Sequence, residues 1–289
     1  MSTVNADKIL DVLPDGETYC LTFPNKKGAP GVSKFFTDKA LFWRTVTGVT
    51  GRDIWFCPCG FAAGAAQRTA NNVASLSAFR LDLDPGTGYY STKEEMLKAL
   101  LLLLVILQLP PPTHIVDSGN GLHIYWAMDR AIPASKWRIL SHRLAQAIAV
   151  GDSRLAKDTS RWTDPNGLLR PPGTFNYKDP ANPKPVRLLR AAPLRDAVRF
   201  ISSIQALPMT TVTAAPAGNL TALTRVPRPA KTDLLGLNNP SPGGSVKFIY
   251  ENCRVWNDQL DRVAQGGDWQ YNNGRWEWAY VMAFCHDAE

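Results

Sequence analysis

The chain has 289 residues, of which 45% are hydrophobic and 20% charged. This is an ordinary composition for a soluble globular protein and gives no sign of a fibrous or disordered polymer. A formal net charge of +7 leans toward polyanionic partners such as nucleic acid. Five scattered cysteines (Cys20, Cys57, Cys59, Cys253, Cys285), with no signal peptide ahead of them, argue against a disulfide framework and for a reducing, cytoplasmic compartment.

Residues 18–23 read as a strand, 36–46 as a short helix and 53–61 as a second strand. Cys57-Pro58-Cys59 is spaced more tightly than a zinc-binding C-x2-C and reads as small apolar residues on that strand. Residues 76–84 read as a further strand ending in Leu81-Asp82-Leu83-Asp84. Strand side chains alternate between faces, so Asp82 and Asp84 lie side by side with Leu81 and Leu83 buried behind them. Two ionised carboxylates that close repel each other. A hard divalent cation with oxygen ligands is one resolution, and a solvated strand face is the other.

The apolar run 99–109 is about 11 residues long, short of the roughly 20 needed to cross a bilayer, and Pro110 to Pro112 end it. It reads as the buried part of a helix starting near Ser91, with Glu94 and Glu95 in its first turn. Residues 113–116 and 122–128 are β-type runs around Ser118-Gly119-Asn120-Gly121, and Asn-Gly between such runs signals a hairpin. Gly119 and Gly121 let backbone amides approach an anion, and Ser118 adds a hydroxyl. His123 and Tyr125 share one face, opposite Leu122, Ile124 and Trp126. The set suits a phosphate, or else is a tight turn beside a buried, hydrogen-bonded histidine.

Residues 134–150 have helical spacing, with Trp137, Leu140, Leu144 and Ile148 on or near one face. The segment 158–178 offers Asp158, then Arg170, a Pro171-Pro172-Gly173-Thr174 turn, Asn176 and Lys178. A guanidinium fork and a compact ammonium flanking a turn suit a polyphosphate, and a solvated loop is the alternative. A strand at 185–189 and a helix at 193–204 follow. Hairpins together with crossovers indicate an α+β fold with a mixed sheet. Residues 206–244 read as a Pro/Ala/Thr/Gly-rich linker. Residues 245–289 read as a helical accessory segment, too small for its own core and the start of a module in a longer polypeptide.

In this order the three motifs resemble those of the archaeo-eukaryotic primase (primase-polymerase) superfamily. Its first motif is a hydrophobic strand ending in Asp-x-Asp (Leu81-Asp82-Leu83-Asp84). Its second is a small-residue turn leading to histidine (Ser118 to His123). Its third is an acid followed by Arg-x-Pro-Gly-[Ser/Thr] and a polar or basic end (Asp158, then Arg170 to Thr174, Asn176 and Lys178). The ending is closest to phage- and plasmid-type replication primases, and the resemblance covers roughly residues 15–200. Two departures stand out. Lys157 precedes the third acid where the family has a hydrophobic residue, and Asp164 rivals Asp158 for that role. The zinc-binding insert of some members is not evident.

The resemblance implies a catalytic domain over residues 1–205 with an RRM-like mixed β-sheet flanked by helices. It implies a DNA primase or primase-polymerase that makes or extends primers on single-stranded DNA by two-metal phosphoryl transfer. Asp82, Asp84 and Asp158 would be catalytic and hold Mg2+ or Mn2+. Ser118, Gly119, Gly121, His123, Arg170, Asn176 and Lys178 would bind the nucleoside triphosphate. Partners would be the template, nucleotides and a replicative helicase domain, in the cytoplasm of a bacterial or phage-infected cell, with no membrane. Residues 154–199 hold ten Lys/Arg against four Asp, an excess suited to phosphate contacts. Arg161, Trp162, Tyr177, Arg187 and Arg190 are the template-binding candidates, with Trp162 and Tyr177 as base-stacking rings. The rival readings are a non-catalytic replication initiator or nucleic-acid-binding module on the same fold, and an unrelated metal-dependent phosphohydrolase.

Overall fold

The computed structural model describes residues 4–24 and 31–207. The expected linker and C-terminal helical segment lie outside the described residues from position 208 onward. In chain order the elements are β1 (Tyr19–Phe23), β2 (Val32–Phe36), α1 (Lys39–Thr47), β3 (Trp55–Phe56), β4 (Gly60–Phe61), β5 (Val73–Leu83) and α2 (Lys93–Ile106). They continue with β6 (His114–Asp117), β7 (Leu122–Pro133), α3 (Ala134–Gly151), α4 (Ser160–Thr163), β8 (Phe175–Asn176), β9 (Lys184–Pro185), β10 (Arg187–Ala191) and α5 (Ala197–Ala206). A 3-10 helix, Ala6–Val12, precedes β1.

The central sheet has five strands in the order β10-β6-β7-β5-β4. Its strand pairs are all antiparallel, where the sequence led us to expect a mixed sheet. The α2 crossover does return the chain parallel to β5, but two places away. β7, folding back from β6, fills the gap and is antiparallel to both neighbours. Among the described residues the parallel pairing is the isolated bridge between Met128 and Arg195.

Alternation divides the side chains of β5 and β7 between two cores. Phe79, Leu81, Leu83, Leu122, Ile124 and Trp126 join α2, α3 and α5 in one. Ala78, Tyr125 and Ala127 join Tyr19, Leu21, Phe42 and Phe56 of the N-terminal elements in the other. The N-terminal elements include the three-stranded sheet β2-β1-β3. The sheet is therefore covered on both faces, and any polar cleft is confined to one end of its strands.

Local chemistry explains the element limits. The Thr92 hydroxyl accepts from Glu95 N at 3.1 Å while the Glu95 carboxylate accepts from Thr92 N at 3.3 Å, a reciprocal cap that starts α2. α2 ends ahead of Gln108, whose φ is +53°, and Pro110. Asp196 caps α5 through Arg199 N at 3.0 Å, so this helix begins four residues later than position 193. The expected strand 53–61 is split, because the turn Cys57-Pro58-Cys59 breaks it into β3 and β4. Both thiols are buried, and Cys57 Sγ donates to the Asn166 carbonyl at 3.4 Å. The expected strand 185–189 begins only at Arg187, because Pro185 belongs to the short β8–β9 pair. Gly-rich turn chemistry also differs from the Asn-Gly expectation. The hairpin loop spans Ser118 to Gly121, and its left-handed residue is Gly119, with φ +90°.

Candidate functional site

Strand register builds the site. Asp82 lies directly opposite His123 across the β5–β7 pair, and His123 Nε2 is 3.6 Å from Asp82 Oδ1. Asp84 follows the end of β5 and is exposed. The hairpin loop is pressed against this strand end. A Cβ on Gly121 would lie 2.3 Å from the Leu83 carbonyl oxygen and 2.4 Å from Asp84 Oδ1, so only glycine fits. The third segment is tied to the hairpin by Asn176, whose side-chain amide donates to the Ser118 carbonyl at 2.8 Å and accepts from Lys178 N at 3.0 Å.

These three segments converge on a cleft of about 240 Å3 lined by Asp82, Asp84, Ser118, Asn120, His123, Arg161, Arg170, Asn176 and Lys178, with Trp55, Leu168 and Leu169 as its apolar wall. The structure therefore brings together eight of the residues singled out from sequence: Asp82, Asp84, Ser118, His123, Arg161, Arg170, Asn176 and Lys178.

The electrostatics are unbalanced. Burial, and then the like charge of Asp84, push the Asp82 carboxyl up to about 6. Burial, and then Arg170 and Arg161, push His123 down to about 3. His123 is therefore a neutral imidazole at pH 7, and its contact with Asp82 is dipolar despite the ion-pair distance. His123 is 3% exposed, and its Nδ1 is buried from solvent.

Other candidates are placed differently. Asp158 does not line the cleft: its side chain is 59% exposed and accepts from Ser160 N at 3.0 Å. It still belongs to the same charged neighbourhood, because Arg161 lies between it and Asp82, at 4.0 and 3.7 Å. Asp164, its rival, is turned to a structural task. It caps Asn166 N at 3.1 Å, and its carbonyl accepts from the buried Arg80 guanidinium.

The Gly119 and Gly121 amides are already used within the loop, by Asp117 Oδ1 at 2.8 Å and Ser118 Oγ at 3.1 Å. They shape the hairpin and do not form the open anion cradle expected from sequence. Trp162 is 1% exposed, with its indole N–H donating to the Asp82 carbonyl at 2.9 Å. It is a buried support under β5 and not a base-stacking surface. Arg190 is 3% exposed and so is withdrawn from template contact, whereas Arg187 is exposed. Tyr177 is half-buried, its hydroxyl accepting from Gly51 N at 3.0 Å.

Sequence reasoning missed Asp53 and Trp55. Asp53 accepts from Arg170 Nε at 3.0 Å and Tyr177 N at 3.1 Å, and the Arg170 guanidinium lies 5.6 Å from the centre of the Trp55 ring. Together they hold the third segment against the N-terminal elements. No motif surrounds them, and only the fold reveals the pairing. Lys184, whose ammonium donates to Asn120 Oδ1 at 2.8 Å, belonged to the basic run but carried no distinguishing signal.

The donor set fits a hard divalent cation. It offers two neighbouring carboxylates with oxygen donors, in a cleft that Arg161, Arg170 and Lys178 also line. Among the described residues, no three His, Cys, Asp or Glu side chains stand together as a ready metal cluster. No helix among them is long and apolar enough to cross a membrane.

No protein-family model matches the chain. A "Replication protein" of Clostridium perfringens is 29% identical over 118 residues, which cover 38% of this chain and 26% of that protein. The chain thus matches about a quarter of the length of that relative. Among solved structures, the chain is similar to the AEP domain of the cyanophage S-2L primase-polymerase, with 17% identity and a TM-score of 0.46. That likeness covers 67% of this chain and 90% of the domain. It is also similar to the primase RepB', with 14% identity and a TM-score of 0.43 over 69% of this chain and 59% of that one. The catalytic domain of RepB' in complex with initiator DNA gives 14% identity and a TM-score of 0.39, covering 65% and 84%. In its three motifs the chain resembles the archaeo-eukaryotic primase-polymerase superfamily.

Proposed function

We propose that this chain is the catalytic part of a replication primase or primase-polymerase, joining nucleotides on a single-stranded DNA template. The observation that carries the reading is convergence. Three segments far apart in sequence meet in one cleft, with Asp82 and Asp84 on one side and Arg170 and Lys178 among its other lining groups. His123 stands in register with Asp82.

In this reading Asp82 and Asp84 hold Mg2+ or Mn2+, with Asp158 the nearest further carboxylate. When bound, such metal ions stabilise the attacking and leaving oxygens of an in-line displacement at phosphorus. Arg170, oriented by Asp53, and Lys178 offset the charge of the triphosphate and of the departing pyrophosphate. Neutral His123 offers a ring nitrogen as a hydrogen-bonding group to the phosphates, and the Ser118 hydroxyl offers a further donor. Asn176 is a positioning residue that locks the hairpin to the third segment. Exposed Arg187 and the cationic rim are the template contacts, through phosphates.

The test is incubation of the full chain with unprimed single-stranded DNA, Mg2+ or Mn2+, and labelled ribo- and deoxyribonucleotides, followed by sizing of the products. Template-dependent chains longer than a dinucleotide are expected, and Asp84→Asn should abolish them. DNA binding without any incorporation would reject catalysis in favour of an initiator module. Phosphate release without chain growth would point to a hydrolase.

A further inference from the structure

We infer that Arg161 is the resident cation of the acidic site, bridging Asp82 and Asp158 until a divalent metal and a triphosphate together displace it onto the phosphates. This rests on the nucleotidyltransferase reading and adds a coupling between its two ligands.

The placement is specific. Arg161 Nη1 is 3.7 Å from Asp82 Oδ2, and its Nε is 4.0 Å from Asp158 Oδ2. Its backbone is fixed from both sides, by the Trp162 indole on the Asp82 carbonyl at 2.9 Å and by buried Arg80 on the Asp164 carbonyl. Its side chain, by contrast, is 54% exposed. The neighbouring cation is committed elsewhere: Arg170 is 19% exposed and holds Asp53 at 3.0 Å. Arg161 is therefore the cleft guanidinium with a fixed base and an exposed head.

Its two contacts are at ion-pair distance but beyond hydrogen-bond length, which makes them weak and exchangeable. A divalent ion binds carboxylate oxygen directly and brings twice the charge, so the guanidinium and the metal compete for Asp82. A triphosphate in the same cleft offers the displaced guanidinium a bidentate partner. Nucleotide thus favours metal by drawing Arg161 away, and metal favours nucleotide by the same factor.

The experiment measures Mn2+ binding to the full chain by the electron paramagnetic resonance of free Mn2+, with and without a non-hydrolysable nucleoside triphosphate. Wild type, Arg161→Gln, Arg161→Lys and Asp82→Asn are compared. Removing one charge at 3.7 Å from Asp82 should tighten Mn2+ binding about three- to tenfold in Arg161→Gln without triphosphate. The triphosphate should then tighten Mn2+ less than it does in wild type. Arg161→Lys, which keeps the charge, should return toward wild type. Mn2+ binding in Arg161→Gln that is unchanged or weaker overturns the inference, as does an Arg161→Lys variant indistinguishable from Arg161→Gln. If Asp82→Asn loses Mn2+ while Arg161→Gln fails to gain it, only the role of Arg161 falls. If Asp82→Asn binds Mn2+ as wild type does, the metal site itself is wrong.

Discussion

Replacing Asp82 by Asn should make the metal-free protein more stable while abolishing its response to metal. In the fold, the Asp82 carboxyl rises from 3.8 to about 6, first because of burial and then because of Asp84. A raised folded-state pKa favours the protonated form. Its contribution to stability is therefore complete below about pH 4 and lost as pH rises through about 6. At 1.36 kcal/mol per pH unit, holding the ionised form at pH 7.5 costs about 3 kcal/mol. Asn keeps the shape and removes the charge, but its amide also needs partners, so the recovered stability is about 1–3 kcal/mol. For a domain of this size that corresponds to a rise in Tm of roughly 3–9 °C. The assay is thermal unfolding of wild type and Asp82→Asn in chelator at pH 7.5 and pH 4.5, then with Mn2+ at pH 7.5. The variant should melt higher at pH 7.5, the gap should narrow to about a third at pH 4.5, and Mn2+ should raise wild type alone. An Asp82→Asn protein that melts at or below wild type at pH 7.5 would refute the reasoning that this carboxylate is held ionised against its burial.

Gly121→Ala places a methyl group 2.3 Å from the Leu83 carbonyl oxygen, so the hairpin must shift away from the acids. Turnover should fall on the order of 100-fold with the fold retained, as read by steady-state incorporation alongside circular dichroism. Asn176→Ala frees the hairpin from the third segment and strands the buried Ser118 carbonyl. A loss of about 1–3 kcal/mol in urea unfolding is expected, with weakened nucleotide binding. Leu100→Ala, in α2 and fully buried, should cost about 2–5 kcal/mol yet leave nucleotide affinity unchanged at temperatures where the variant is folded. The imidazole of His123, held down to about 3, should show no NMR titration between pH 5 and 8. Its neutral form contributes stability above about pH 6.5 that is lost as pH falls toward 3, and a titration midpoint near 6.5 would contradict its burial.

Much of the site was legible because strand alternation is a strict rule. The pattern of 76–84 and 122–128 placed Asp82, His123 and Tyr125 on one face and Leu81, Ile124 and Trp126 on the other, and the two cores divide along that line. What the sequence could not carry was partnership at a distance. Glycines at 119 and 121 looked like an open amide cradle, but Asp117 and Ser118 satisfy those amides from within the loop. Trp162 and Arg190 looked available because they lie in the Lys/Arg-rich stretch 154–199. The single-turn α4 turns the indole down onto β5, and the register shift in β10 between Leu188 and Arg190 accompanies the burial of Arg190. Asp53 acquires its role only because the N-terminal elements fold across the third segment, 117 residues away in sequence. The antiparallel character of the sheet likewise depends on β7 inserting between β5 and β6, which a crossover motif alone does not specify.

The most direct test is a crystal structure of the chain with Mn2+ and a non-hydrolysable nucleoside triphosphate, with manganese located by its anomalous scattering. We predict manganese bound by Asp82 and Asp84, with the triphosphate against Arg170, Lys178 and His123. Manganese elsewhere, or a triphosphate seated outside this cleft, would contradict that prediction.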